Sequence, residues 1–409
     1  MKRVVVTGMA SITALGDNWN DFKTALLKGE NAVQRMDNWS YIDGLNTNLA
    51  APVLDFFRPA HYSRKKVRSM GRVSLMSTVA TERALEQAQL LEHTALTDGS
   101  TGVSYGSSIG STEPLVSFGR MMETGTMNGV TATSYIQMMA HTAPVNVGVF
   151  FGIKGRVITT SSACTSGSQG IGYAYEAIKF GRQQLMVAGG AEELCVTEAA
   201  VFDTLYATST QNDTPKNTPR PFDKNRDGLV IGEGAATLIL EEYEHAKARG
   251  ATILAEIIGF GCNSDGQHVT QPTSATMQVA IEMALQDANV LADQIGYVNA
   301  HGTSTERGDI AESHATFNAL GAKPISSLKS YLGHTLGACG AIEAWASINM
   351  MTDNWFAPTI NLTNVDNECA PLDYITEKGR EIHTDYVMSN NFAFGGINTS
   401  LIFKRYNGE

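Results

Sequence analysis

The sequence predicts an α/β fold made of two pseudo-duplicated halves, and three observations predict it. The chain has 409 residues, more than one hydrophobic core ordinarily supports, so two core-bearing halves are expected. RVITTSSACTSGSQGIGYAYEAIKFG, from Arg156 to Gly181, starts β-branched, breaks into small residues and resumes with Ile171, Ala174 and Ile178 at helical spacing. ISSLKSYLGHTLGACGAIEAWA, from Ile325 to Ala346, repeats that strand, turn and helix. GVSYGSSIG, from Gly102, and YVNAHGTST, from Tyr297, form a second matched pair, each a strand running into a small-residue loop. The matched segments divide the chain into an N-terminal half, residues 1–250, and a C-terminal half, residues 251–409.

Each element has its own signal. Arg3 to Thr7 reads as the first strand of a buried sheet, ending at Gly8; the apolar run Val4 to Val6 is too short for the core of a secretory signal. HYSRKKVRSMGR, from His61 to Arg72, gathers Arg64, Lys65, Lys66, Arg68 and Arg72, and reads either as a solvated helix face or as a dock for an acidic partner. Leu75 to Leu91 has the spacing of an amphipathic helix, Gly102 to Ser107 that of a strand, and Thr131 to Val149 suits a buried or interface helix. Gln184 to Glu193 and Ala235 to Glu242 read as strands. Between them Thr208 to Gly234, rich in Asn, Asp, Pro and Gly, is the longest loop-like passage and therefore functional or mobile. In the second half Ala251 to Gly259 reads as a strand and Gln278 to Ala288 as a helix.

Composition narrows the function. Hydrophobic residues at 43% and charged residues at 17% fit a globular enzyme rather than a disordered or repeat protein. A net charge of −11 argues against general nucleic-acid binding and leaves the 61–72 cluster as the best site for an acidic partner. Five cysteines without regular spacing outline neither a disulfide framework nor a zinc site, so no metal is expected and a reducing cytoplasm fits. No apolar run approaches 18 residues, so no membrane span is expected.

The chemistry centres on Cys164. A thiol at a helix N-terminus feels unpaired N–H groups and the positive end of the helix dipole, which favour the thiolate. Taken alone, such a cysteine is more often a small packing residue, and a lone histidine beside a glycine is more often structural. Here Cys164, His301 and His334 fall at corresponding strand ends of a duplicated plan, where α/β sheets bind ligands. Lys329 and Glu343 flank His334 and could form a charged pair. A thiolate, neutral imidazole donors and backbone N–H groups together make a covalent acyl-transfer site.

The motifs SSACTSG around Cys164, NAHGTST around His301, SLKSYLGHTLGACGAIE around His334, RPFDKNRDGLVIGEGA and NNFAFGGINTS resemble those of the β-ketoacyl-acyl-carrier-protein synthases of the I/II type. The likeness runs from VVVTGMA to the C-terminal strand, and MGRVSLMS, SACTSGSQ and NNFAFGGIN are in addition similar to the ketosynthases of aryl polyene gene clusters. The resemblance implies a thiolase fold with layered αβαβα halves. It also implies a decarboxylative Claisen condensation, in which malonyl carrier protein extends an acyl chain held on Cys164 by two carbons. On the same ground the N–H groups of Cys164 and Phe394 form an oxyanion hole, His301 and His334 donate from Nε2 to the enolate, and Lys329 with Glu343 is an orienting ion pair.

Thr303 and Thr305 match positions that hydrogen-bond a phosphopantetheine arm, Ile109 one that limits pocket depth and Phe202 one that lines the pocket; Phe392 and Leu229 join this substrate-binding set. Arg64, Lys65 and Arg68 match positions that meet the acidic helix of acyl carrier protein. No cofactor is implied, because substrates travel on the carrier's arm, and a homodimer is implied, with a heterodimer of related ketosynthase subunits as the alternative. Cys339 matches a small packing position rather than a second catalytic thiol, and Cys195, Cys262 and Cys369 are read likewise. Three departures stand out: Glu306 and Arg307 in HGTSTERGD, Leu229 where phenylalanine is usual, and Ala393 with Ile397 beside Phe394. They suggest an unusual, rigid or conjugated acyl chain. A non-elongating subunit and a non-condensing acyltransferase or cysteine hydrolase remain open as other functions, though Cys164 argues against a silent chain-length factor.

Overall fold

A computed structural model describes residues 1–408 of the chain. Its large sheet has eleven strands: β1 (Val4–Thr13), β2 (Thr101–Gly106), β3 (Val157–Thr160), β4 (Leu185–Glu192), β5 (Gly234–Glu242), β6 (Ala255–Ser264), β7 (Tyr297–Asn299), β8 (Pro324–Ser326), β9 (Asp373–Tyr374), β10 (Tyr386–Ala393) and β11 (Ile397–Arg405). They lie in the order β9-β8-β7-β10-β11-β6-β1-β5-β4-β2-β3. From the centre outward the first half runs β1-β5-β4-β2-β3 and the second β6-β11-β10-β7-β8, with β9 added at the edge. In both halves the first two pairings are antiparallel and the next two parallel. The same order and polarity occurring twice is the duplication that the matched sequence segments predict.

Why the strands stack into layers follows from their alternation. Along β5, Ala236, Leu238 and Leu240 point to one apolar cluster and Ala235 and Ile239 to another, so both faces are buried. The shared inner layer holds two helices, α2 (Ser166–Lys179) and α5 (Cys339–Asp353), which pack on each other and on strands of both halves. Ile171 and Ile178 of α2 meet Ile342 and Trp345 of α5 in this cluster. On the outer face of the first half lies α1 (Arg72–Gln87), with Val79, Ala84 and Leu85 against Val187 and Ile239. On the outer face of the second half lie α3 (Ser274–Ala288) and α4 (Glu306–Leu320), with Met277, Ile281 and Ala315 against Val298 and Met388.

Close approach in the inner layer needs glycine. A Cβ on Gly190 would lie 2.3 Å from the Gly337 carbonyl oxygen and 2.9 Å from the Gly167 Cα. A side chain there would force α2 away from the turn before α5, at a cost of about 1–3 kcal/mol.

Several boundaries differ from the sequence reading. The first strand continues to Thr13 rather than ending at Thr7. Gly8 marks a register shift, not an exit, and leaves room for α1: a Cβ there would lie 2.2 Å from the Ala84 carbonyl oxygen. α1 starts three residues before the expected Leu75 and ends at Gln87. Thr131 to Val149 contains two helices, Ser134–Met138 and Thr142–Phe151, instead of one. The basic segment before α1 is a series of turns, not a helix face. The long 208–234 passage is irregular but anchored: the buried Asp223 carboxylate accepts N–H groups from Asn225, Thr363 and Asn364. Among the described residues no helix is long and apolar enough to cross a membrane.

Candidate active site

Cys164 sits in a 3₁₀ turn, Ala163–Thr165, between the end of β3 and the first residue of α2. The corresponding place in the second half is another 3₁₀ turn, Leu336–Ala338, running directly into α5. The first residue of each turn has a positive φ, 49° at Ala163 and 44° at Leu336, a conformation that side chains tolerate only when packing enforces it. Equivalent turns thus carry the thiol on one side of the inner layer and follow His334 on the other.

His334 Nε2 lies 2.9 Å from Cys164 Sγ, and its Nδ1 accepts the Leu336 N–H at 3.2 Å. With Nδ1 accepting, a neutral imidazole carries its proton on Nε2 and points it at sulfur. His301 Nδ1 likewise faces a donor, the Asn391 side-chain amide at 3.4 Å, which leaves the proton of the neutral ring on Nε2. The rings of His301 and His334 meet edge to face with centroids 5.1 Å apart. Sulfur and one nitrogen of each ring all lie within 4.8 Å of one another.

Electrostatics keeps both rings neutral. Burial lowers the pKa of His301 and His334 well below the usual histidine value, and the Lys329 ammonium lowers them further. Lys329 and Glu343 form a buried ion pair, and although burial disfavours the ammonium, Glu343 together with neighbouring acidic groups raises its pKa so that Lys329 stays charged. The Asn391 amide also donates to Glu343 at 2.7 Å, linking the pair to His301. The Glu312 carboxylate holds the backbone at His301, accepting the N–H groups of His301 and Gly302 at 2.7 and 2.6 Å.

The thiol departs from expectation. The helix terminus favours thiolate, yet burial pushes Cys164 up to about 12. Lys329 and the N–H groups of Phe394 and Cys164 pull the other way without prevailing. The reason is solvent: those donors act on a thiol only 4% exposed, and losing water costs the anion more than they return. Cys164 therefore rests as a neutral thiol.

Cys164, His301 and His334 open onto a cavity of about 460 Å³ that Phe202, Leu229, Phe392, Phe394, Thr303 and Thr305 also line. The Phe202 and Phe394 rings stand 5.2 Å apart beside the thiol. The Thr303 and Thr305 hydroxyls are 2.8 Å apart, and the exposed Glu306 and Arg307 follow them at the rim.

Not every expected residue is there. Ile109 is half-buried outside the cavity lining, in a loop that Glu192 ties through Ser107 and Ser108. Lys329 and Glu343 lie behind the cavity wall. Arg64, Lys65 and Arg68 are exposed on the turns before α1, whereas Arg72 folds back onto Glu233. Cys339 donates its thiol to the Cys164 carbonyl at 3.2 Å, and Cys369 lies in the outer cluster of the second half. Sequence reasoning missed Asn391, Glu312 and Arg226. Asn391 and Arg226 stand within motifs already singled out, but their partners are distant in sequence.

Two family models match the chain: "Beta-ketoacyl synthase, N-terminal domain" over residues 1–246 and "Beta-ketoacyl synthase, C-terminal domain" over residues 254–363. The chain is 38% identical to a 3-oxoacyl-[acyl-carrier-protein] synthase 2 of Vibrio harveyi, covering 99% of each. A crystal structure of a beta-ketoacyl synthase from Burkholderia phymatum superposes with a TM-score of 0.98 at 63% identity, covering 100% of both chains. The ishigamide ketosynthase/chain length factor gives 0.90 at 29% identity, covering 99% of this chain and 100% of that one. Both halves of one family's signature, matched in order along a sheet that repeats itself, leave a single conclusion: the chain belongs to the beta-ketoacyl synthase family.

Proposed function

We propose that this protein is a β-ketoacyl-acyl-carrier-protein synthase in which Cys164 carries the growing acyl chain. The observation that carries the reading is the thiol 2.9 Å from His334 Nε2, with a second neutral imidazole beside it, lining a cavity of mixed polar and apolar walls. Sulfur attacks the thioester of an acyl carrier protein. The tetrahedral oxyanion is met by the N–H groups of Cys164 and Phe394, and the carrier's thiol leaves with the proton that the cysteine gives up. Malonyl carrier protein then loses CO2. The enolate oxygen forms between the Nε2–H groups of His301 and His334, and its carbon attacks the acyl thioester on Cys164. The product is a β-ketoacyl carrier protein longer by two carbons, and the thiolate released from Cys164 regains a proton. Lys329 and Glu343 orient this machinery, while burial and the Lys329 ammonium hold the imidazoles neutral; no cofactor takes part.

The acyl substrate is a rigid, conjugated chain of the aryl polyene type. Supporting this are the Phe202 and Phe394 rings, which give the cavity an aromatic wall, and Leu229, Ala393 and Ile397 around them in place of the usual residues. Thr303 and Thr305 receive the phosphopantetheine arm, and the exposed Arg64, Lys65 and Arg68 meet the acidic carrier. Two copies pair through the sheet edge at β3, where Val157 is 48% exposed and Val149 and Tyr135 nearby are 76% and 62% exposed. The ketosynthase/chain length factor architecture of one structural relative supports a related subunit as the alternative partner. The five unbonded cysteines suit a reducing cytoplasm.

The test is incubation with candidate acyl carrier proteins and malonyl carrier protein, with products read by mass spectrometry. An acyl adduct on Cys164, CO2 release and a two-carbon extension of unsaturated chains are expected. No adduct would identify a non-elongating subunit, and transfer without CO2 release a non-condensing acyltransferase.

A further inference from the structure

The RPFDKNRDG stretch places in the cavity wall a residue for which the chemistry above has no use. Arg226 lines the cavity near Thr303 and Thr305, yet its side chain is only 2% exposed. Its guanidinium donates to four acceptors: the carbonyls of Thr305 at 3.2 Å, Glu306 at 2.8 Å and Asp223 at 2.9 Å, and the Asp366 carboxylate at 2.7 Å. The Asp309 carboxylate lies 3.5 Å from Nε.

The turn that Arg226 grips needs positive φ at two places: Gly302, at +39°, adopts it without penalty, but Ser304, at +68°, does not. Acceptors hold its first part: Glu312 takes the N–H groups of His301 and Gly302, and Asp309 takes that of Ser304 at 3.1 Å. The Ser304 hydroxyl accepts the Arg220 N–H at 3.0 Å. Its last part, at the start of α4, presents the carbonyls of Thr305, which also accepts the Asp309 N–H at 3.1 Å, and of Glu306, and Arg226 adds a side-chain donor to both. One planar guanidinium reaches both and is itself anchored by Asp366; a lysine ammonium lacks that fork.

We propose that Arg226 is a positioning residue that sets the Thr303–Thr305 hydroxyl pair and thereby the binding of substrates carried on a phosphopantetheine arm. The inference rests on the reading that these hydroxyls receive the arm. Arg226 acts through the turn and takes no part in bond making.

The experiment compares Arg226→Lys, a Thr303→Val/Thr305→Val double variant and their combination. Two malonyl donors are used: malonyl carrier protein and the S-ethyl malonyl thioester, which has no amide for the hydroxyls to hold. Arg226→Lys is expected to raise KM for the carrier-borne donor about tenfold with kcat within about twofold, the size of a lost charge-assisted hydrogen bond. It should leave kcat/KM for the ethyl thioester unchanged and add nothing to KM in the Thr303→Val/Thr305→Val background. An unchanged carrier KM, an equal loss with the ethyl thioester, or full additivity overturns the inference. If the threonine variant alone leaves the carrier KM unchanged, the reading of the hydroxyls fails and the inference with it. Should Arg226→Lys not fold, Asp366→Asn, which frees the same guanidinium on one side, is read by the same criteria.

Discussion

A buried, neutral thiol makes a quantitative prediction for alkylation of Cys164 by iodoacetamide. With the thiol pushed up to about 12, roughly one molecule in 10⁵ carries a thiolate at pH 7, and the fraction grows about tenfold per pH unit. The second-order rate constant should therefore climb with unit slope on a logarithmic scale from pH 6.5 to 9.5, about a thousandfold in all, with no plateau. Lys329 is the strongest of the influences that pull the thiol down. Replacing it alone would strand the buried Glu343 carboxylate, so the informative variant removes the pair together, as Lys329→Met/Glu343→Leu. That variant should alkylate more slowly at every pH with the same slope, while its folded spectrum persists. A rate independent of pH between 6.5 and 9 would show a preformed thiolate. It would refute the argument that burial outweighs the backbone donors and Lys329.

What the sequence makes legible here is periodic and local. Two strand-turn-helix passages at Arg156 and Ile325 show the duplication, because hydrophobic period and small-residue turns are properties of neighbours along the chain. The observed strand orders and polarities repeat accordingly. Cys164, His301 and His334 are legible for the same reason: each follows a strand and precedes small residues. What depends on long-range contact is not legible. Gly8 looks like a strand exit until Ala84 is seen against it, and the thiol looks activated until its loss of solvent is counted. Arg226 touches carbonyls 79 and 80 residues away, and Asn391 meets His301 across 90. Neither separation leaves a trace in local pattern.

Three further predictions follow from the site and its surroundings. His301→Ala and His334→Ala should each lose malonyl decarboxylation by about 10²–10³-fold while Cys164 is still alkylated, and decarboxylation that survives both would remove the imidazoles from the enolate. Reversing charge at Arg64, Lys65 and Arg68 should raise KM for acyl carrier protein several-fold without changing alkylation, because these side chains are exposed and available to an acidic partner; kinetics that stay the same would sink the docking role. The last concerns stability. Burial raises Asp309 to about 6, Glu192 to about 7 and Glu312 to about 8. The native state thus keeps protons that the unfolded chain releases near pH 4, and this contribution is complete below that pH and lost as pH rises through 6 to 8. His301 and His334 have depressed pKa values, so their contribution is complete above about 6.5 and adds no slope beyond it. Tm should accordingly fall between pH 6.5 and 8.5, and Glu312→Gln, which removes the group still titrating there, should flatten the fall. A Tm that holds or rises across that window would mean that these carboxyls are already ionised in the fold, with the N–H groups of His301, Gly302, Ser108 and Gly337 outweighing their burial.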